Sequence, residues 1–357
     1  MIKKTLLATL FSAVFLTSSI SLTACDDNQS KVTAAASTKV QGKTMGTFYA
    51  VNVVGGYKGG EAALQKLAED CFKIICDEIS TFDPKAELAR FDDWNSTEPF
   101  LISDGLSKII QDTVYQGRRI EGATDITVGP LVNLWGFGKD KRDGKAPTAE
   151  QIKDKLALVG FDKFEIRFVD KKSYLIKKDP NMRIDLATVG EGLGADAVAY
   201  ELIKQGYKNF MVNVAGASRS IGTNAQGKKW RLGIEDPTSK SPKVFESICA
   251  LDKAVTTAGS YRNYFKDDKT GEIYSHAIDP RTGYPVSHKT LSVTVISNSA
   301  FESDALDTGL LVLGAQKALD WGEKNNYAVA TIEYVDGKPS FRYTTKFDPY
   351  LDCAKAQ

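Results

Sequence analysis

The sequence predicts an α+β protein. Helical and strand-like segments follow one another without the regular strand–helix–strand rhythm that builds a parallel sheet. The composition, 42% hydrophobic and 25% charged over 357 residues with 29 Gly and 11 Pro, excludes collagenous, disordered and coiled-coil chains. No composition break is visible beyond residue 40, so the body reads as one large unit with enough chain to bury a core.

Each element rests on local chemistry. Leu64, Leu67, Ala68, Cys71, Ile75 and Ile79 recur at helical spacing and predict an amphipathic helix over 61–80. Further helices are expected over 104–119 and 149–157, and another over 192–206 that Gly206 ends. Phe210 to Val214 reads as a buried strand, followed by strands over 229–234, 289–297 and 327–334. The middle one of these alternates cleanly through Leu291, Val293 and Val295. Ser299-Ala300-Phe301-Glu302 has capping-box spacing and should start a helix that runs through Leu313.

The first residues point to a compartment. Met1-Ile2-Lys3-Lys4 is cationic, 5–22 is apolar and uncharged, and Leu22-Thr23-Ala24-Cys25 brings small residues up to a cysteine. This is the layout of a secretory signal. Its end resembles the bacterial lipobox, in which Cys25 would be lipidated and become the first mature residue; a transmembrane anchor is the alternative. Asp26 resembles the signal that retains such lipoproteins at the inner membrane. The expected organisation is a signal over 1–24, a small-polar tether over 25–39, the globular domain over 40–352 and a tail over 353–357. The expected location is the periplasmic face of the bacterial inner membrane.

Charge and cysteine usage narrow the classes further. The formal net charge is +1 and no basic block appears, which argues against a nucleic-acid surface. Cys71, Cys76, Cys249 and Cys353 allow three pairings in an oxidising compartment. Cys71 and Cys76 lie on one helix and point in different directions, so they should not pair, and most of the four read as small buried apolar residues.

Five segments carry candidate chemistry. In Asp304-Ala305-Leu306-Asp307-Thr308, positions i, i+3 and i+4 share a helix face, so two carboxylates and a hydroxyl converge. Three oxygen donors suit a hard cation such as Mg²⁺; an exposed acidic edge or a salt bridge reads equally from spacing alone. The stretch Ile184-Asp185-Leu186-Ala187-Thr188-Val189-Gly190-Glu191-Gly192-Leu193-Gly194 is expected to join a strand to a helix N-terminus. Its glycines would admit a ligand and its free N–H groups a phosphate. It matches neither the dinucleotide fingerprint nor the P-loop. Asp185 and Glu191 could accept hydrogen bonds from ribose or base, or simply cap the helix.

His276 precedes a tight turn over Asp279 to Gly283 and reads either as a proton acceptor or as a structural histidine. His288 lies in a Pro- and Ser-containing loop and should be exposed. The absence of a Gly-x-Ser-x-Gly elbow removes support for a serine hydrolase. Asp125 to Gly138 mixes polar groups with apolar surface, which would suit a flat aromatic ligand with a polar tail, Trp135 and Phe137 being equally at home in a core. Met45, in Thr44-Met45-Gly46-Thr47, places a thioether where it can lie on a ring.

Taken in order, these segments resemble the ApbE-type flavin transferases. The matching stretches are Met45 to Thr47, Ser80 to Pro84 with Glu87 to Phe91, Asp125 to Gly138, Asp185 to Gly192, Thr256 to Tyr264, Ser275 to Pro285, and Asp304 to Gly314. The similarity spans about residues 40–350. Gly190-Glu191-Gly192 departs from the Ala-Lys-Gly of many members and resembles the lipoprotein branch. Asn213-Val214-Ala215-Gly216-Ala217 lacks the usual Gly-Gly-acid ending, and Phe82 replaces a common tyrosine.

The resemblance implies a single mixed body of mostly antiparallel strands with packed helices. It also implies transfer of FMN from FAD onto a Thr or Ser hydroxyl of a target protein, with release of AMP. It places Mg²⁺ at Ala187, Thr188, Asp304, Asp307 and Thr308. The flavin nucleotide falls at Met45, Ala123, Thr124, Asp125, Asp185, Glu191 and Ile278, and His276 becomes the base. Implied acceptors are exported redox subunits such as those of sodium-pumping NADH:quinone reductase or Rnf-type complexes. An FAD pyrophosphatase and a non-catalytic periplasmic FAD-binding lipoprotein are the competing classes.

Overall fold

A computed structural model describes residues 35–139, 145–261 and 263–351. The expected signal, Cys25, most of the tether and the tail over 353–357 lie outside the described residues. The core element is an eight-stranded sheet in the order β1 (Ser37–Thr44), β2 (Thr47–Val54), β6 (Phe210–Val214), β7 (Ala217–Ile221), β10 (Ala254–Gly259), β13 (Thr290–Ser297), β14 (Ala328–Val335) and β15 (Lys338–Tyr343). Every neighbouring pair is antiparallel. β1 starts inside the stretch expected to be tether, because Thr38 to Val40 already pair with Val53 to Val51.

Three smaller sheets flank this one. β3 (Phe100–Ile102), β5 (Lys172–Lys177) and β4 (Phe164–Val169) form a triplet in that order, while β8 (Trp230–Glu235) pairs with β9 (Val244–Ala250) and β11 (Tyr264–Lys266) with β12 (Ile273–Ser275). The α+β class and the antiparallel arrangement both hold.

Alternation in β2 turns Tyr49, Val51 and Val53 inward. They meet Leu64, Ala68, Cys71 and Phe72 of α1 (Gly60–Ile79), the helix that the spacing predicted. Each fully buried aliphatic side chain contributes about 1.5–3 kcal/mol against exposure. α3 (Asp104–Arg119) starts at Ser103, whose hydroxyl accepts from Leu106 N–H at 3.0 Å. The short α2 (Glu87–Asp92) and α4 (Gly129–Leu134), with α5 (Ala149–Leu156) and α9 (Asp348–Leu351), complete the periphery.

Two helices, α6 (Ala187–Lys204) and α7 (Ala300–Leu313), cross against the sheet, with α8 (Ala315–Asn325) following. α6 begins at Ala187, five positions before its expected start, so Gly190 joins Gly192 and Gly194 inside the helix. Residues 184–186 are irregular rather than a strand. The physical reason is packing. A Cβ at Gly192 would stand 2.4 Å from the Ala300 carbonyl oxygen and 2.8 Å from Asp304 Cβ, and one at Gly194 would stand 3.2–3.3 Å from Phe72 and Met45. The helix-weakening effect of glycine, about 0.5–1 kcal/mol each, is accepted here for close approach of α7 at Gly192 and of Phe72 and Met45 at Gly194.

α7 starts where expected, with Ser299 Oγ accepting from Glu302 N–H at 3.2 Å. The Glu302 carboxylate does not return to complete a capping box. It accepts from Tyr327 Oη at 2.5 Å and pairs with Arg119 at 3.5 Å, joining α7 to α3 and to the residue that precedes β14. Cys71 and Cys76 are free thiols, as their placement on α1 predicted, whereas Cys249 is disulfide-bonded rather than a plain apolar filler. Among the described residues no helix is long and apolar enough to cross a membrane.

Candidate active site

A cleft of about 700 Å³ opens between α6, α7, the 123–139 segment, the end of β10 and the loop after β12. Its lining includes Ala123, Thr124, Asp125, Asp185, Ala187, Thr188, Glu191, His276, Ile278, Asp304, Asp307 and Thr308. One expected residue stands apart. Met45, at φ +50°, is not in the lining; its thioether packs over the Gly190 and Gly194 positions of α6.

The acidic end of the cleft is set by the α6–α7 crossing. α7 is apolar on most sides, with Leu306, Leu310 and Leu311 buried, so its carboxylates go down with it: Asp304 is 8% exposed and Asp307 2%. Burial, then repulsion from Asp307 and Glu191, holds the Asp304 pKa far above the usual carboxylate range. Burial likewise pushes Asp307 up to about 8, against the lowering influence of the Thr256 and Thr308 hydroxyls. Glu191 rises to about 7 through burial.

Some partners are present. Gly192 N–H donates to Asp304 Oδ2 at 2.8 Å and Thr308 Oγ1 to Asp307 Oδ1 at 3.2 Å. Thr256 Oγ1 lies beside Asp307 without completing a well-formed hydrogen bond. Among the described residues, none of these three acids is in an ion pair. Buried like charges of this kind call for a cation.

The oxygens in this cleft fit a hard one. The Thr188 hydroxyl is buried in the same cleft without a hydrogen-bond partner, opposite the two aspartates and Thr308. Among the described residues no group of three or more His, Cys, Asp and Glu side chains stands in metal-binding arrangement. An ion here would therefore combine the two carboxylates with hydroxyl and backbone oxygens, which suits Mg²⁺ with some of its waters retained.

The neighbouring wall is fixed by backbone contacts. Asp185 Oδ1 accepts from Ala187 N–H at 2.8 Å and Asp185 N–H reaches Ile126 O at 2.7 Å, and burial raises the carboxyl pKa. Asp125 Oδ1 accepts from both Thr127 N–H at 2.8 Å and Thr127 Oγ1 at 2.6 Å. Thr124 Oγ1 donates to the Ala305 carbonyl at 3.2 Å, and Gly309 leaves the room for it: a Cβ there would stand 2.4 Å from that hydroxyl. Ile278 is held by a bridge to Pro285.

His276 follows β12. Its N–H donates to Asn263 O at 2.9 Å, and its Nδ1 lies 3.0 Å from the same carbonyl. A carbonyl only accepts, so Nδ1 carries the proton and Nε2 keeps its lone pair. The imidazole stays open to the cleft although protein atoms crowd around it; this partial desolvation lowers its pKa, and the carbonyl contact opposes the shift. Phe137 presents its ring edge-on, 6.3 Å between centroids.

Sequence reasoning passed over several cleft residues. Arg183 and Lys139 both reach Asp93 Oδ1 at 3.3 Å. Asp92 Oδ1 holds the Ile184 N–H at 2.9 Å, while Lys177 Nζ, itself buried, donates to the Asp92 carbonyl at 3.0 Å and sits 4.8 Å over the Phe91 ring. Burial raises Asp92 to about 7 and lowers Lys177 to about 8. No spacing rule joins residues 92, 177 and 183; only the fold does.

Comparison with known proteins places this geometry. The sequence model of the ApbE family matches residues 45–332. The chain is 37% identical over 321 residues to an FAD:protein FMN transferase of Haemophilus influenzae, covering 89% of this chain and 90% of the relative. It is 39% identical over 323 residues to the FAD:protein FMN transferase of Salmonella typhimurium, with 90% and 91% covered. Among solved structures, the flavin transferase ApbE of Vibrio cholerae superposes with a TM-score of 0.80 at 34% identity, over 89% of this chain and all of that one. The apo flavinyl transferase ApbE of Pseudomonas stutzeri follows at a TM-score of 0.78 and 27% identity, over 89% and 98%.

Proposed function

The chain belongs to the ApbE family and is an FAD:protein FMN transferase, and from that premise we propose that it moves FMN from FAD onto a threonine or serine hydroxyl of exported proteins, releasing AMP, with Mg²⁺ as cofactor. The observation that carries this reading is the meeting, in one cleft, of a histidine with a free Nε2 and a buried acidic cluster beside an unpartnered threonine hydroxyl.

The chemistry balances in one displacement. The acceptor hydroxyl oxygen bonds to the FMN phosphorus as the bond from that phosphorus to the bridging oxygen breaks, and AMP leaves with the electron pair. His276 Nε2 takes the hydroxyl proton, and the Asn263 carbonyl steadies the imidazolium through Nδ1. Mg²⁺, when bound by Asp304, Asp307, Thr308 and the oxygens of Ala187 and Thr188, supplies charge neutralisation at the pyrophosphate. Ala123 to Asp125, Asp185, Glu191 and Ile278 bind and orient the nucleotide; Met45 supports that wall from behind α6. There is little covalent chemistry for the protein beyond this, so orientation supplies much of the rate.

The proposal extends to location. Cys25 carries the lipid, the chain sits on the periplasmic face of the inner membrane, and its acceptors are membrane redox subunits such as those of sodium-pumping NADH:quinone reductase or Rnf-type complexes. Incubation with FAD, Mg²⁺ and an acceptor domain of this class, followed by intact mass, tests the reading. An FMN increment on the acceptor supports it. Free FMN without an adduct would make the protein a pyrophosphatase, and unchanged FAD would make it a binder.

A further inference from the structure

The central sheet is incomplete beside the cleft. β10 pairs with β13 along its whole length, from Ala254 opposite Ser297 to Gly259 opposite Ser292. On its other side it pairs with β7 only at Ala254–Arg219 and Val255–Ser218. β7 cannot continue, because the β6–β7 turn at Ala215 and Gly216, both at positive φ, reverses the chain there.

Two backbone hydrogen bonds fix the direction of the groups left over. Ser220 N–H donates to Lys253 O at 2.9 Å on the β7 side, and Ser260 N–H to Leu291 O at 3.0 Å on the β13 side. Backbone direction alternates along a strand. Odd-numbered residues of β10 therefore point toward β7, and Thr257 and Gly259 point past its end. Thr257, Ala258 and Gly259 line the cleft with Tyr261, Asn263 and His276. Among the described residues no backbone group completes the ladder at Thr257 or Gly259.

We propose that this open edge receives the acceptor polypeptide, which adds to β10 as a short extended strand and so brings its hydroxyl to His276. The inference rests on the transfer reading above and deepens it by naming the acceptor surface. Residues 257 and 259 repeat their N–H and C=O groups at about 6.8 Å, the two-residue period of an extended chain. A flavin imide is too short to satisfy both. The Asn263 carbonyl holds the His276 ring, and ring and edge line the same cleft, so a strand added here lies in the cavity that holds the base. In such strand addition the backbone groups supply affinity, and pockets for alternate side chains supply selectivity.

The test is amide exchange of the intact enzyme, with the FMN-acceptor domain of a sodium-pumping NADH:quinone reductase as probe. Acceptor should protect the Thr257 and Gly259 amides, and FAD with Mg²⁺ alone should not. With Thr257→Val as the control for the hydroxyl, Thr257→Pro removes one cleft-facing N–H and the Thr257–Thr294 hydroxyl contact while leaving the backbone bonds to β13 in place. It should raise the acceptor KM roughly tenfold, the effect of one backbone bond left unmade, while FAD affinity holds. Equal exchange with and without acceptor overturns the proposal, whether or not the variant folds. So does a parental acceptor KM in a folded variant, or protection by FAD alone, which would give the edge to the flavin. Protection by acceptor without any adduct would sink the transfer reading and leave the docking edge standing.

Discussion

Gly192 donates its backbone N–H to the carboxylate of Asp304 at 2.8 Å, across a helix crossing too close for any larger residue at position 192. This contact couples the two halves of the acidic site. A second tie lies one turn further along α6, where Asp196 Oδ2 accepts from Ser299 Oγ at 2.8 Å and Phe301 N–H at 2.9 Å, capping the start of α7. The helix that offers Thr188 and the helix that offers Asp304 and Asp307 are thus held in register by carboxylate-to-backbone bonds.

Gly192→Ala should force the helices apart, since its Cβ would meet backbone at 2.4 Å. The expected cost is about 1–3 kcal/mol of stability, together with weaker Mg²⁺ binding. Thermal melts and magnesium titration calorimetry check this; a variant with parental values in both would refute the role given to the crossing.

Asp304→Ala removes a buried acid held far above its usual pKa. Without metal the relief of a buried acid offsets the loss of the Gly192 N–H bond, so the melting temperature should change little. Its magnesium-dependent flavin transfer should fall by roughly a hundredfold or more. Unchanged turnover, read by intact mass of the acceptor, would remove the metal assignment.

His276→Ala should keep FAD binding and slow transfer by about 10²–10⁴-fold. In the parent, burial sets the His276 pKa below 6.5. Transfer by an unprotonated base is then fully present above that pKa and declines as pH falls through it. The acid limb should vanish in the alanine variant; a limb that persists unaltered would point to another base.

Asp92 gives a stability test independent of catalysis. In the folded chain it keeps its proton up to about 7, whereas the unfolded group loses it near 3.8. Between those values the folded state binds more protons, so stability falls as pH rises, by an amount on the order of a few kcal/mol. Asp92→Asn preserves an acceptor for the Ile184 N–H and should flatten this part of the slope. Denaturant unfolding at pH 4 and pH 7 in both proteins decides it.

Cys25→Ser tests the anchor. The processed lipoprotein should partition with membranes and the variant should not gain lipid mass. Parental membrane association of the variant, without acylation, would favour an uncleaved span over 5–22.

Much of this protein is written locally. Hydrophobic spacing specifies α1, the alternation of Leu291, Val293 and Val295 specifies β13, and Ser299 marks the start of α7, since each depends only on neighbours within a few residues. The i, i+3, i+4 placement of Asp304, Asp307 and Thr308 is equally local, and so is the turn after His276. The start of α6 at Ala187 rather than at residue 192 is the complementary case, since Gly190 joins Gly192 and Gly194 inside the helix. Gly192 answers to Ala300 and Asp304, and Gly194 to Phe72 and Met45, all of which arrive from distant parts of the chain.

The sequence by itself determined the elements, their order and the side chains able to grip a hard cation or accept a proton. Only the tertiary structure decided that α7 buries its acids against α6, that the Asn263 carbonyl leaves His276 Nε2 free, and that β7 stops short of Thr257. Such features arise where segments far apart in the chain meet, and their energies come from desolvation and close packing, which no local pattern encodes.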